Sequence, residues 1–338
     1  MADAYIIDAV RTPRGIGKPG KGALSHLHPQ HLAATVLKAI KDRNNLDTST
    51  VDDVIWSTSS QNGKQGGDLG RMAALAAGYD IGASGMTLDR FCGGGITSVN
   101  LATAAVMSGM EDCVIAGGTE MMSFTAAYGA ELANAGVKPL GMGAGNRELD
   151  AIHPQSHQGV CGDAIAAMEG IPREALDALA LVSQERAARA IKEGRFDKSV
   201  VTVYNEDGTV ALDHEEFPRP ETTAEGLASL KASFDGIADF DLGGTTFRKQ
   251  IQRRYPDLNW KGVHHAGNSS GVVDGAAAVL ITSKEYADKH GLKPRGKIVA
   301  YVNCGDDPTL MLNAPVPAAK KVLEKAGLKK DDIDVFEI

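Results

Sequence analysis

Three consecutive glycines, Gly93–Gly95, separate a cysteine from a long run of small and apolar side chains, and this junction constrains the fold more than any other segment. Residues 96–107 would be apolar on nearly every face of a helix, which predicts a helix enclosed by other structure. Gly109 is placed to end that helix, and residues 112–116 have the composition of a buried strand. A strand, a cysteine turn, a helix and a second strand form a βαβ unit, so the segment predicts an α/β fold.

Cys92 stands at the predicted start of this helix, where the partial positive charge of the helix N-terminus favours a thiolate. The glycines that follow leave backbone N–H groups unblocked near the sulfur. A thiol in this setting suits covalent acyl transfer, so Cys92 is the candidate nucleophile. The alternative is a buried structural cysteine, because free cysteines are among the most buried residues.

The composition indicates a globular chain with a large core. The 338 residues are 43% hydrophobic, and the length predicts about two or three domains. Only 5% of residues are aromatic while 39 are glycine, which fits helices packed closely on a sheet better than an all-β sandwich. The net charge of -8 argues against nonspecific binding of nucleic acid.

The cysteines and the N-terminus indicate the cellular setting. Cys92, Cys113, Cys161 and Cys304 are widely spread and form no pattern typical of a zinc site or a disulfide framework, so all are expected to be reduced. We find no apolar run long enough to cross a membrane and no signal peptide, and we therefore expect a cytoplasmic protein.

The order of patterns along the chain predicts its domain organisation. Strand and helix patterns alternate through the first part, loosen, and return at 275–282, a strand expected to complete the first sheet. A weak echo of an earlier helix and strand near the end indicates two duplicated halves, with 296–302 opening the second copy. The predicted parts are an N-terminal half (1–123 plus 271–292), an inserted loop domain (124–270) and the start of a second half (293–338).

Several motifs follow one another along the chain, and together they resemble those of the thiolase family. They are Asp8–Pro13, Cys92 with its glycines, Gly117–Ser123, Glu193–Asp197, Ala266–Gly271 and Asp274–Ala277. Any one of them could arise by chance, but the ordered series covers nearly the whole chain. The resemblance implies a duplicated five-layer α-β-α-β-α architecture with an inserted loop domain, its second half incomplete here.

The resemblance also implies an acyltransferase that acts on coenzyme A thioesters. Cys92 would attack the 3-keto group of a 3-ketoacyl-CoA, release acetyl-CoA and pass the shortened acyl group to a second CoA. CoA and acyl-CoA would be substrates, with no further cofactor and no metal. The alternatives are an acetoacetyl-CoA thiolase working in the biosynthetic direction and a non-catalytic acyl-CoA-binding protein of the same fold. A homodimer or homotetramer is expected by the same resemblance.

Four residues of the inserted domain are expected to contact CoA by resemblance. His157 matches a histidine beside the pantetheine arm, and Gln158 replaces a methionine common in short-chain members. Arg219 matches an arginine that contacts the nucleotide, with a solvated surface arginine as the alternative. Ser270 matches a serine near the pantetheine, with a turn residue as the alternative.

Motifs expected after the last strand are absent from this sequence. They are an Asn-Glu-Ala-Phe motif, a Gly-His-Pro motif whose histidine activates the nucleophile, and a second Cys-Gly motif. A positioned general base contributes about 10²- to 10⁴-fold to a rate. A chain that really ends at Ile338 is therefore expected to have little or no turnover.

A basic stretch, Phe247–Lys261, stands out in an acidic protein. It could dock an anion such as the CoA 3′-phosphate, a membrane surface, or the partner subunit of a β-oxidation complex. The alternative is a solvated helical face.

Two further motifs carry little weight. Gly267–Gly271 matches a serine-hydrolase elbow, but a strand-like run follows it where a helix is needed. Gly141–Gly145 is similar to a dinucleotide-binding loop but lacks the preceding strand and the following helix.

Overall fold

The computed structural model describes residues 2–138 and 143–337, so Gly141 and Met142 of the glycine-rich loop lie outside the described residues. The chain divides into two compact units. Unit 1 contains the segments Met1–Gly136, Gly194–Phe217 and Val272–Tyr301, and unit 2 contains Val137–Glu193, Pro218–Gly271 and Val302–Ile338.

Unit 1 is built on a mixed sheet. The strands of the chain are β1 (Ala4–Arg11), β2 (Gly15–Ile16), β3 (Asp53–Ser57), β4 (Met86–Leu88), β5 (Cys113–Met121), β6 (Val203–Tyr204), β7 (Val210–Leu212), β8 (Val273–Ser283) and β9 (Gly296–Lys297). The sheet has the order β4-β3-β5-β8-β1-β9, with β2 also paired to β8. Strands β4, β3 and β5 are parallel, and β8 runs antiparallel between β5 and β1. The predicted strand at 275–282 thus completes the sheet as expected.

Helices occur in both units, one of them at the predicted position 96–107, and they form the regular structure that is described for unit 2. They are α1 (Pro29–Arg43), α2 (Leu69–Ala76), α3 (Gly94–Ser108), α4 (Met122–Asn134), α5 (Arg147–Ile152), α6 (Gln158–Met168), α7 (Arg173–Lys192), α8 (Ala224–Ala228), α9 (Asp235–Ala238), α10 (Phe247–Arg254), α11 (Lys284–Lys289) and α12 (Pro315–Ala326). Short 3-10 turns lie at Thr48–Thr50, Gly63–Gln65, Phe91–Gly93 and Lys330–Asp332.

The sheet of unit 1 is covered by helices on both faces. Val36 of α1 packs in one apolar cluster with Ile115 and Leu280, while Val106 of α3 packs in another with Ile281. Neighbouring strand residues point to opposite faces, which is why Leu280 and Ile281 belong to different clusters. These helix, sheet and helix layers confirm the predicted α/β class.

Helix α3 is less enclosed than expected. Gly109 ends it in a left-handed conformation, as predicted, but Ile96 is 73% exposed and Leu101 is 37% exposed. By length and composition Phe91–Ser108 could cross a membrane, contrary to the expectation that no such run exists. Since α3 leads from β4 into β5 and packs on the sheet through the buried Val106, it is a layer of the α/β fold with one uncovered face.

The hairpin β6–β7 turns at Asp207–Gly208, and it groups with unit 1 although it lies within the predicted inserted domain (124–270). Val203 and Leu212 are buried in the same apolar cluster as α1. Arg11 lies over the Phe196 ring at 5.2 Å and forms an ion pair with Glu215. The motif Glu193–Asp197 therefore helps to attach the segment Gly194–Phe217 to β1.

The last part of the chain differs from the expected second copy. Helix α12 forms where the echo predicts a helix, but the strand near 296–302 is limited to Gly296–Lys297, which pairs with β1. Residues 333–336 form no strand in the described part of the chain, and Val335 is 79% exposed. A strand needs a neighbouring strand to satisfy its backbone groups, and unit 2 contains none of the described strands.

Candidate active site

The parallel strands β4, β3 and β5 end at one edge of the sheet, and Cys92 follows β4 at that edge. In α/β proteins the carboxyl ends of parallel strands are where ligands bind. Cys92 is exposed, so the alternative of a buried structural cysteine is wrong for this residue. Burial raises the pKa of the Cys113 and Cys161 thiols to about 12, which keeps both protonated at neutral pH.

One glycine after Cys92 is required by packing. A Cβ on Gly94 would collide with Ser57 Oγ at the end of β3, so a glycine there lets the start of α3 lie directly on that strand. A Cβ on Gly95 would meet nothing within 4 Å. Thr58 N–H, just after β3, donates a 3.2 Å hydrogen bond to Leu88 O at the end of β4. The turn that carries Cys92 is therefore held at the end of β3 both before the cysteine, through Leu88, and after it, through Gly94.

The glycines of the motif Gly117–Ser123 make room for a tryptophan. A Cβ on Gly117 would collide with the Trp56 ring and with Ala277 O. The buried indole lies across the glycine and donates a 3.0 Å hydrogen bond to Thr119 Oγ1. This motif therefore shapes the core beneath the candidate site.

Glu120 holds the loop after β3 against the end of β5, a network that sequence reasoning missed. Its Oε2 accepts hydrogen bonds from Ser59 N at 2.7 Å and Ser59 Oγ at 2.6 Å, and its Oε1 accepts from Gln65 Nε2 at 2.9 Å. Gln65 is fully buried, and its Oε1 accepts from Met121 N–H at 2.9 Å. The partners are more than 50 positions apart, and Gln65 stands among polar residues and glycines in the sequence, so no local pattern indicated the network.

Two of the family-like motifs meet at Ser123 and Asp274. Asp274 lies opposite Met121 in the β5–β8 ladder, next to the end of β5. Both carboxylate oxygens of Asp274 accept hydrogen bonds from Ser123, and both residues are buried. Burial raises the pKa of Asp274 above its ordinary value, against the opposing effect of the Ser123 hydrogen bonds.

His157 caps helix α6 in unit 2. Its Nδ1 accepts a 3.2 Å hydrogen bond from Gly159 N–H, and its ring lies 5.6 Å from Phe234 and 5.8 Å from Phe247 between centroids. Desolvation lowers the pKa of His157, so the ring is neutral at pH 7. The neighbouring Gln158 is exposed.

Ser270 is exposed at the end of a loop that is fixed by buried polar contacts. Asn268 Nδ2 donates to Asp177 Oδ1 at 2.9 Å, and His265 Nε2 lies 2.8 Å from the same oxygen. Burial alone would raise the pKa of Asp177, but hydrogen bonds from His265, Arg173 and Asn268 hold it below its ordinary value. His265 therefore has a structural role, since it holds this loop against Asp177.

The backbone of Arg219 is held on both sides. Its N–H donates a 2.8 Å hydrogen bond to Gln184 Oε1, and its carbonyl accepts from Thr222 Oγ1 at 2.7 Å. The residue is exposed. Cys92 thus belongs to unit 1, whereas His157, Gln158, Arg219 and Ser270 all belong to unit 2.

Other histidines of unit 1 line a cavity of about 580 Å³. His26 Nε2 lies 2.8 Å from Asn205 Oδ1, and His31 Nε2 lies 2.7 Å from Tyr204 O. Within residues 2–138 and 143–337, no group of three or more His, Cys, Asp or Glu side chains is arranged to hold a metal ion.

The arginines of the basic stretch make internal contacts. Arg248 pairs with Asp239 at 2.7 Å and lies over the Trp260 ring at 4.6 Å. Arg253 donates to Ala151 O at 3.0 Å, and Arg254 lies 3.6 Å from Asp307. These contacts count against an anion-docking site, and they also give the arginines more partners within the protein than the alternative of a solvated helical face implies.

Comparison with known proteins agrees with this architecture. Residues 4–239 match the model for the thiolase N-terminal domain, and residues 292–338 match the model for the thiolase C-terminal domain. The chain is 37% identical to the 3-oxoadipyl-CoA/3-oxo-5,6-dehydrosuberyl-CoA thiolase of Escherichia coli K12, over 100% of this chain and 80% of the relative. It is 33% identical to a 3-ketoacyl-CoA thiolase of Aliivibrio fischeri, over 100% of this chain and 79% of the relative, and 34% identical to a steroid 3-ketoacyl-CoA thiolase of Mycobacterium tuberculosis, over 100% and 76%. The chain therefore belongs to the thiolase family, a family of acyltransferases that act on acyl-CoA thioesters.

Proposed function

We propose that Cys92 is the nucleophile with which this thiolase cleaves 3-ketoacyl-CoA in the degradative direction. The observation that carries the proposal is an exposed thiol at the carboxyl edge of the parallel strands, while Cys113 and Cys161 are buried. The Cys92 thiolate attacks the 3-keto carbon and forms a C–S bond. The C2–C3 bond breaks, and its electron pair stays on C2, which takes a proton to give acetyl-CoA. A second CoA thiolate then attacks the acyl thioester and restores the Cys92 thiolate.

Unit 2 supplies the proposed contacts to CoA. Gln158, Arg219 and Ser270 are exposed, so their side chains are accessible to a ligand. The Arg219 guanidinium can both stack on adenine and pair with phosphate. The neutral imidazole of His157, held between aromatic rings, offers an apolar and hydrogen-bonding surface for a pantetheine arm.

The names of the relatives support a proposal for the substrate class. Three relatives at 35% to 37% identity are named for 3-oxoadipyl-CoA or β-ketoadipyl-CoA, which favours an acyl chain that ends in a carboxylate. The second candidate is a simple aliphatic 3-ketoacyl-CoA, favoured by relatives at 33% to 34%. We propose the first class as the preferred substrate.

Steady-state thiolysis by the complete polypeptide tests both proposals. The substrates are acetoacetyl-CoA, 3-ketohexanoyl-CoA, 3-ketodecanoyl-CoA and 3-oxoadipyl-CoA, each with free CoA, and kcat/KM should be highest for 3-oxoadipyl-CoA. Cys92→Ser should abolish turnover and acyl labelling, whereas the matched Cys304→Ser should retain both. Acyl label on Cys304 instead of Cys92 would refute the assigned nucleophile. A higher kcat/KM for decanoyl than for adipyl substrates would refute the assigned substrate class.

A homodimer through the β4 edge is the proposed assembly. β4 is the end strand of the sheet, and an end strand presents unpaired backbone groups. β4 and the segment before it expose apolar side chains, with Leu75 at 39%, Ile81 at 83% and Met86 at 40%. Light scattering should show a dimer that Ile81→Glu converts to a monomer, while Met110→Glu, at a residue 76% exposed elsewhere, leaves it intact. A dimer that survives Ile81→Glu with Leu75→Glu would exclude this edge.

A further inference from the structure

The residue before Cys92 has an unusual backbone conformation. Phe91 has φ of +46°, in the left-handed region that side chains with a Cβ disfavour. Its N–H donates a 2.8 Å hydrogen bond to Asp89 Oδ1, two residues earlier. Left-handed residues of this bulk persist where the surrounding structure holds them, and they cluster at active sites.

The hydrogen bond from Phe91 N–H to Asp89 stabilises the turn that leads into Cys92. An aspartate or asparagine side chain that accepts from the backbone two residues on stabilises a turn in place of regular backbone pairing. The Phe91 carbonyl in turn accepts from Gly94 N–H, and Gly94 rests on Ser57. A chain of contacts therefore runs from the Asp89 carboxylate through Phe91 to the first residue of α3, and Cys92 lies inside it.

We propose that Asp89 is a positioning residue for Cys92: its Oδ1 holds Phe91 left-handed and thereby fixes the direction in which the Cys92 thiol is presented. The inference rests on the proposed role of Cys92 as nucleophile. The contribution is geometric and depends on the acceptor oxygen, not on the carboxylate charge. Asparagine carries the same Oδ1 acceptor without the charge, whereas alanine carries neither, so the two substitutions separate the effects.

The test compares two reactions of the same thiol. Acyl transfer from 3-oxoadipyl-CoA needs an oriented sulfur, whereas alkylation by iodoacetamide needs only an accessible one. Asp89→Ala should slow acylation of Cys92 by about 100-fold, the size expected for a misplaced reacting group. Alkylation of Cys92 should change little. Asp89→Asn should keep both rates within about threefold of the original, since Asn and Asp are equivalent acceptors for backbone N–H groups. Peptide mass spectrometry gives both rates, and Cys113 and Cys161 report any unfolding by becoming reactive.

A second variant tests the backbone argument directly. Glycine adopts a left-handed conformation without strain, so in a Phe91→Gly background the loss caused by Asp89→Ala should shrink to under about tenfold. Hydrogen exchange of a peptide covering residues 88–95 should be faster in Asp89→Ala and unchanged in Asp89→Asn.

The outcomes separate this inference from the proposed function. If Cys92 takes up the acyl group equally fast in the original chain and in Asp89→Ala, Asp89 has no positioning role while Cys92 remains the nucleophile. If Asp89→Asn is as slow as Asp89→Ala, the charge matters and the inference is wrong. If Cys92 of the original chain takes up no acyl group, the nucleophile assignment fails. In that case hydrogen exchange of residues 88–95 still tests the turn, and an unchanged exchange rate in Asp89→Ala would show that Asp89 does not hold it.

Discussion

Ser123 donates two hydrogen bonds to Asp274, from its N–H to Oδ1 at 2.9 Å and from its Oγ to Oδ2 at 2.5 Å. The pair joins the start of α4 to the start of β8, 151 positions away in sequence. Neither side chain is accessible to water to any useful extent. The interaction therefore links two family motifs inside the core of unit 1.

Asp274→Ala should destabilise the protein, because it leaves the buried Ser123 N–H and O–H without acceptors. Each unpaired buried group costs about 1 to 3 kcal/mol in the free energy of unfolding. Asp274→Asn keeps the acceptor for Ser123 N–H and places an NH2 group that can donate to Ser123 Oγ, so it should cost less. Urea unfolding at pH 7 measures the difference, and equal losses in the two variants would contradict the hydrogen-bond argument.

The same carboxyl group should make stability depend on pH. Because the folded pKa of Asp274 is above the ordinary value of 3.8, the folded state binds its proton more tightly than the unfolded state does. The stabilisation that comes from this tighter proton binding by Asp274 is fully present at low pH, and it is lost as pH rises from 3.8 through the folded pKa. The free energy of unfolding of the original chain relative to Asp274→Asn should therefore fall over that interval. A constant difference would count against a raised pKa.

Gly117→Ala should disrupt the core because the new methyl group meets the Trp56 ring and Ala277 O. Overpacking of this kind costs about 1 to 3 kcal/mol. Gly129 in α4 provides the matched control, since a Cβ there meets nothing within 4 Å. Gly129→Ala should stabilise by about 0.5 to 1 kcal/mol through helix propensity. Thermal unfolding of both variants checks the prediction, which fails if the two shifts have the same sign.

His157 should give a pH dependence of the opposite sign. Its folded pKa lies below the ordinary 6.5, so the folded state binds its proton less tightly than the unfolded state does. Its contribution to stability is present above pH 6.5 and is lost as pH falls through the folded pKa. His157→Asn keeps a side-chain cap for α6 and removes this titration. The free energies of unfolding of the original and of His157→Asn should differ more as pH rises toward 7. A difference that does not change with pH would contradict the lowered pKa.

Arg248→Ala should lower the stability of unit 2 and leave binding to anionic vesicles unchanged. The substitution removes the pair with Asp239 and the stacking on Trp260, which together contribute about 1 to 2 kcal/mol. Lys249→Ala, at an exposed position of the same helix, is the control and should change neither quantity. If Arg248→Ala lost vesicle binding while its free energy of unfolding stayed unchanged, the result would instead support a docking role for the basic stretch.

Local patterns predicted much of the fold. The apolar run at 275–282 predicted β8, and Gly109 predicted the end of α3, because both signals are contained in a few neighbouring residues. Cys92 also lies just before α3, as predicted, whereas the cap that His157 forms on α6 was not predicted. Their roles in the reaction remain predictions.

Relationships between distant residues could not be predicted in the same way. The Gln65–Glu120 bond and the attachment of the hairpin to the Val203 and Leu212 core depend on which segments become neighbours in three dimensions. The exposed face of α3 was missed for a related reason, since an apolar composition specifies what a helix can bury but not what is present to cover it.

The central place of β8 determines when the sheet can be assembled during synthesis. β1 and β5 are paired through β8, yet β8 begins at Val273, so more than 260 residues separate it from β1. A ribosome must translate those residues before the two strands on either side can be joined. Pairing over such a separation slows folding and leaves strand edges open in the meantime. The nascent chain should therefore depend on chaperones until Ser283 has left the exit tunnel.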